Sequence, residues 1–117
     1  MTFHQGEVWY AYLGPVVGVE QDGRRPVLVV SNDMFNSIDN NLVWIVPLTR
    51  TIRGIGFHVI VDPPEGGLTD RSAIMCEQIR AVDRSRLKKL QGAVDSETMT
   101  AVLRLLSTIP RSMQPEQ

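Results

Sequence analysis

A chain of 117 residues, 43% hydrophobic and 21% charged, is one domain able to bury a core without disulfides or a structural metal, which excludes the disordered, fibrous and disulfide-scaffold classes. No apolar run approaches the ~18–20 residues of a membrane span. The net charge of −1, from 12 Lys+Arg against 13 Asp+Glu, excludes a nucleic-acid binder coated in positive charge.

The N-terminal residues lack a basic segment followed by an apolar one, which argues against a secretory signal. The one cysteine, Cys76, admits neither an internal disulfide nor a cysteine-based zinc site, and fits a reducing cytoplasm.

Glu7–Leu13 is aromatic and β-branched, lies between Gly6 and Gly14-Pro15, and reads as a strand. Residues 14–24 hold three glycines and a proline and form a loop. Pro26–Val30 is a continuous apolar run, predicting a strand buried on both faces with Pro26 at its tolerated start. Residues 32–41 are polar, a loop with one helical turn around Met34-Phe35. Leu42–Leu48 is a third strand, with Pro47 marking a bulge or an edge. Gly54 and Gly56 punctuate a turn before a fourth strand, Phe57–Val61.

After the loop Asp62–Gly67, Ser72–Cys76 and Gln78–Val82 read as two short strands or one bent strand, and Arg84–Leu90 suggests a helical turn. Asp95 or Ser96 can cap a helix that gathers Met99, Val102, Leu103, Leu106 and Ile109 on one face. Pro110 is expected to end it, leaving 110–117 as a flexible tail. Five or six strands without intervening helices, closed by one helix, predict a mainly β fold: an antiparallel sheet curled into a small barrel with a C-terminal α-helix.

Net charge conceals two basic blocks. Residues 24–58 carry a balance of +2 and residues 77–92 one of +3. Arg24-Arg25 stands between a glycine loop and an apolar strand. No phosphate-cradling glycine loop and no nucleophile elbow is present. His4 and His58 are far apart and lack partners at metal-ligand spacing, so no metal or cofactor is expected. Catalysis then falls to Arg, Thr, Ser, Glu, Asp or His side chains.

Four segments carry a specific likeness. They are Gly6-Glu7-Val8-Trp9, the block from Gly18 to Asp33 containing Glu20-Gln21-Asp22-Gly23-Arg24-Arg25-Pro26-Val27-Leu28-Val29, then Val46-Pro47-Leu48-Thr49, and Glu77-Gln78-Ile79-Arg80-Ala81-Val82-Asp83. Together they resemble the MazF/PemK family of toxin endoribonucleases from bacterial toxin–antitoxin pairs, over nearly the whole chain. The resemblance implies an SH3-like barrel of the CcdB/PemK type, working as a homodimer and held in check by a MazE-like antitoxin. It also implies metal-independent cleavage of single-stranded RNA, leaving 2′,3′-cyclic phosphate and 5′-hydroxyl ends.

The family's catalytic arginine and threonine fall on Arg25 and Thr49. A guanidinium offers forked donors that match phosphate geometry, and a threonine hydroxyl adds a neutral donor. Glu20 and His58 are the candidates for taking the 2′-hydroxyl proton. Gln21, Arg24, Asn36, Arg50, Arg53, Gln78 and Arg80 have the donors and acceptors to hold unpaired bases and phosphates.

Structural readings stand beside these. Arg25 could anchor its loop on Glu20, Thr49 could be a β-branched strand end, His58 could be structural, and Glu77 and Gln78 could pair across strands. Two other functions share the fold: a CcdB-like gyrase poison, and a non-catalytic barrel that binds RNA or peptide.

Overall fold

The computed structural model describes residues 2–14 and 23–113. Seven strands, β1 (Glu7–Tyr12), β2 (Arg24–Val29), β3 (Leu42–Thr49), β4 (His58–Val61), β5 (Ser72–Met75), β6 (Arg80–Asp83) and β7 (Leu87–Ala93), are joined by α1 (Asp33–Ser37) and closed by α2 (Ser96–Met113). All strand pairs are antiparallel, in the order β4-β5-β3-β2-β1-β7, with β6 alongside the first half of β3. No helix among the described residues is long and apolar enough to cross a membrane.

The apolar run in β2 behaves as its composition dictates. Val27 and Val29 join Phe3, Trp9, Ala11, Val43, Ile45 and Leu87 in one core. Leu28 and Val30 join Val8, Val46, Leu48 and Ile74 in the other, under Met99, Val102 and Ile109 of α2. Successive side chains thus enter opposite layers of one barrel-like sheet. Full burial of each such side chain is worth about 1.5–3 kcal/mol.

Two glycines set how tightly the sheet closes. Leu13 N–H donates to Gly23 O at 2.8 Å, and Gly23, at φ +77°, lies so near the Gly14 carbonyl that a Cβ would collide with it. Gly67, at φ +70°, packs in the same way on the Gln91 carbonyl of β7. That contact brings the β4–β5 connection onto the far end of the strand path. A side chain fits neither position.

The structure corrects four local expectations. Arg84–Leu90 is not a helical turn throughout: a three-residue 3₁₀ turn, Arg84–Arg86, leads straight into β7. Lys88 and Lys89 hide that strand, because β7 is an edge carrying lysines and its pairing to β1 is twice shifted in register. β2 begins at Arg24, two residues before Pro26, because the β1–β2 ladder extends to the pair Tyr12↔Arg24. Leu103 is 39% exposed, while Leu105 packs toward the core with Leu106. α2 runs through Pro110 to Met113; proline's φ is helical, and near a helix end it forfeits only one intrahelical bond. Residues 114–117 of the expected tail lie outside the described residues.

Asp95 is the cap of α2. Its Oδ1 accepts from Thr98 N–H at 2.9 Å, and Glu65 Oε2 accepts from Asp95 N–H at 3.0 Å and from the Thr98 hydroxyl at 2.6 Å. The Thr98 amide holds the Asp95 carboxyl below its usual 3.8. A depressed folded-state pKa contributes stability that is present above the unfolded value and is lost as pH falls through the folded one. Asp95→Ala should therefore lower the melting temperature at about pH 7, with a deficit that is smaller in acid, shrinking as pH falls below the usual 3.8. An equal deficit at neutral and acid pH contradicts the cap.

Candidate active site groove

The β2–β3 register pairs Val27 with Pro47 and Leu28 with Val46. Arg25 precedes the paired stretch of β2 and Thr49 follows that of β3, which puts the two at the same end of this antiparallel pair. A contact agrees: Arg25 Nη1 donates to the Leu48 carbonyl at 3.5 Å, one residue before Thr49. Thr49 ends β3, half-buried, and its Oγ1 accepts the Thr51 N–H at 3.1 Å. That bond uses an acceptor site and leaves the hydroxyl proton to be donated elsewhere.

The two residues open onto a groove of about 630 Å³. Arg24 and Arg25 approach from β2, and Thr49, Arg50, Thr51 and Arg53 from the end of β3 and the segment after it. Gln78 reaches the groove from the 3₁₀ turn Cys76–Gln78, with its Nε2 on Met75 Sδ at 3.6 Å. Four arginines and a single carboxylate, Asp70, are among the described residues lining it. Arg50 and Asp70 are both well exposed at 3.7 Å, so their pairing is weak and leaves the groove cationic. The groove thus gathers Arg24, Arg25, Thr49, Arg50, Arg53 and Gln78 from across the sequence.

Three candidates sit elsewhere. Asn36 is buried at the end of α1, where its Oδ1 accepts the Ser31 hydroxyl at 2.6 Å and its Nδ2 donates to the Ser31 carbonyl at 2.9 Å. Arg80 is exposed on β6 opposite Ile45, outside the groove lining. His58 has its side chain 3% exposed, with Nε2 3.1 Å from Glu77 Oε2 and Nδ1 buried without a hydrogen-bond partner. Glu20 and Gln21 lie outside the described residues. Cys76 is fully buried, and burial with the nearby Glu77 charge pushes its thiol up to about 11, so it is no nucleophile at neutral pH.

Sequence reading did not select Tyr10, Thr69, Asp70 or Gln91, which also line the groove. Tyr10 offered the one usable signal, an aromatic on the polar-facing phase of its strand. The others are brought in by sheet closure and have no local signature.

Arginine forks beside a hydroxyl in an open cationic groove suit binding and polarisation of a phosphodiester. The comparisons with known proteins agree in kind. Residues 4–109 match the family described as PemK-like, MazF-like toxin of type II toxin–antitoxin system. Endoribonuclease EndoA of Bacillus subtilis is 38% identical over 87% of this chain and 89% of that protein. Endoribonuclease PemK of Escherichia coli is 37% identical over 90% of this chain and 80% of that protein. Among solved structures, an endoribonuclease from a mycobacterial species, in complex with its cognate antitoxin, superimposes with a TM-score of 0.76 at 28% identity, covering 96% of this chain and 98% of that one.

Proposed function

The chain belongs to the PemK-like, MazF-like toxin family of type II toxin–antitoxin systems, and from that premise we propose that its groove cleaves single-stranded RNA without a metal ion, with Arg25 and Thr49 as catalytic residues. It is an endoribonuclease toxin of that family, acting as a single domain in the cytoplasm. The observation that supports the catalytic assignment is that Arg25 and Thr49, at the same end of the β2–β3 pair, line one groove rich in arginine.

In the proposed step the ribose 2′-hydroxyl attacks the adjacent phosphorus and gives up its proton as the O2′–P bond forms. The P–O5′ bond breaks, and the departing 5′ oxygen takes a proton. The products are a 2′,3′-cyclic phosphate and a 5′-hydroxyl. Charge accumulates on the phosphorane oxygens between these events. Arg25 meets it with a forked cation, and the Thr49 hydroxyl adds a directed donor. Arg25 serves there to stabilise charge, because its forked donors match the phosphorane oxygens.

Arg24, Arg50 and Arg53 hold neighbouring phosphates, and Gln78 presents its amide to a base edge. Few placed contacts in a near-neutral protein make binding selective. The same cationic wall suits an antitoxin whose acidic, partly disordered segment folds along it and blocks RNA. Two copies form the working unit, and exposed apolar side chains such as Met34, Ile38, Leu42 and Trp44 are of the kind such an association buries.

Incubation with a long single-stranded RNA in EDTA tests the reading. Discrete cleavage that persists in the chelator is expected. Intact RNA, or cleavage that appears only after a divalent cation is restored, overturns it.

A further inference from the structure

The row of β1 side chains that starts with Val8 in the helix-side core continues to Tyr10 and Tyr12 at the surface, 39% and 37% exposed. Tyr12 pairs directly with Arg24 across the β1–β2 ladder, and the Arg24 guanidinium carbon lies 6.0 Å from the centre of the Tyr12 ring. Lys88 of β7 completes a second concavity of about 480 Å³ lined by Tyr10, Ala11, Tyr12, Arg24 and Lys88. Arg86 reaches the same edge, with Nη1 donating to the Tyr12 carbonyl at 3.4 Å. No carboxylate is among the described residues lining this concavity.

Two lining residues, Tyr10 and Arg24, also line the catalytic groove. The concavities are therefore adjacent, on either side of those two side chains, and an RNA strand leaving the groove past Arg24 meets the tyrosines next. Exposed aromatic faces interleaved with cations are the chemistry of single-strand binding: rings stack bases of any identity while Lys and Arg track phosphates.

The geometry points to a subsite on β1, β2 and β7, built by Tyr10, Tyr12 and Lys88 with Arg24 as the hinge to the groove, that holds nucleotides flanking the cleaved bond by stacking and charge rather than by base identity. The inference rests on the groove being the RNA cleavage site. Adjacency to that groove and the cations Arg24 and Lys88 among its described lining residues commit the patch to the substrate strand. Because its tyrosines stack any base, the subsite raises affinity for longer RNA without narrowing the cleavage sequence.

The test uses the full chain and three single-stranded RNAs carrying one mapped cleavage site: a short one, and two lengthened by a few nucleotides at the 5′ or the 3′ end. One lengthened RNA is expected to exceed the short RNA in kcat/KM by roughly 5–100-fold, mostly through KM, as loss of one or two stacked bases implies. Within Tyr12→Ala that ratio of long to short falls toward 1, and Tyr12→Phe, which keeps the ring, restores it. If Tyr12→Ala no longer cuts even the short RNA, Lys88→Ala gives the same comparison, with a lowered ratio supporting the subsite and an unchanged one overturning it.

A ratio of 1 for both lengthened RNAs in the parent, or a full ratio retained in Tyr12→Ala, overturns the subsite and leaves the groove assignment standing. A ratio of 1 together with weaker inhibition of Tyr12→Ala by the antitoxin moves the patch to that partner, and equally overturns the subsite. A short RNA left intact by the parent is a separate result, because it overturns the cleavage reading itself.

Discussion

Arg25→Ala should reduce kcat for RNA cleavage by roughly 10²–10³-fold, the loss seen when one preorganised donor is removed from a developing oxyanion. In the proposed mechanism the guanidinium meets charge that appears in the transition state, so the loss should fall on kcat more than on KM. Arg25→Lys should recover only part of it, since an ammonium keeps the charge and loses the fork. Arg25 is half-buried at the start of β2 and outside both cores, so the Ala variant should keep the parent's circular dichroism and melting profile. A variant that folds and cuts within tenfold of the parent removes Arg25 from the mechanism.

Leu28→Ala carries the largest expected effect on stability. Leu28 is fully buried, paired with Val8 on one side and Val46 on the other, and it lies under α2 with Met99 and Val102. Truncation leaves a cavity that rigid strands on both sides cannot close. The expected cost is about 2–5 kcal/mol, against a total stability of roughly 5–15 kcal/mol. Leu90→Ala is the control: its side chain is 48% exposed, and surface truncation away from special features costs within about 0.5 kcal/mol. Chemical denaturation of both variants reads the difference. A Leu28→Ala loss below about 1 kcal/mol would show that the helix-side core is not packed as described.

The elements that announced themselves were those whose environment is written in local periodicity. β2 is buried on both faces, and its unbroken run from Val27 to Val30 says so. α2 repeats its apolar face at helical spacing, and only the phase error that put Leu103 for Leu105 was costly. β7 was hidden because an edge strand that pairs on one side alternates weakly, and Lys88 and Lys89 resemble any solvated segment. Nothing in a polar loop reports whether its amide points outward, so Asn36 looked like a base reader when it closes its own turn on Ser31. His58, in an apolar strand, fits a proton acceptor or a structural residue by sequence alone; its side chain is buried, with Nε2 3.1 Å from Glu77 Oε2.

The site divides along the same line. Arg25 and Thr49 stand out through the likeness of their surrounding segments to a known family, and their place at one end of the β2–β3 pair brings those distant segments to one groove. The neutral total charge was the weakest guide. It averages a groove bearing four arginines with acidic groups placed elsewhere, Asp33, Asp83 and Asp95 among them, each engaged in local hydrogen bonds that hold its carboxyl below the usual range.

The chemistry of the product ends tests the central claim most directly. The proposed attack by the 2′-hydroxyl, stabilised by Arg25 and Thr49, would leave every upstream fragment with a 2′,3′-cyclic phosphate and every downstream fragment with a 5′-hydroxyl. Mass spectrometry of fragments from one long RNA, cut in EDTA, should show that pair of ends at each site. Fragments ending in 3′-hydroxyl and 5′-phosphate would mean that water, and not the ribose, attacks the phosphorus, and would contradict the account.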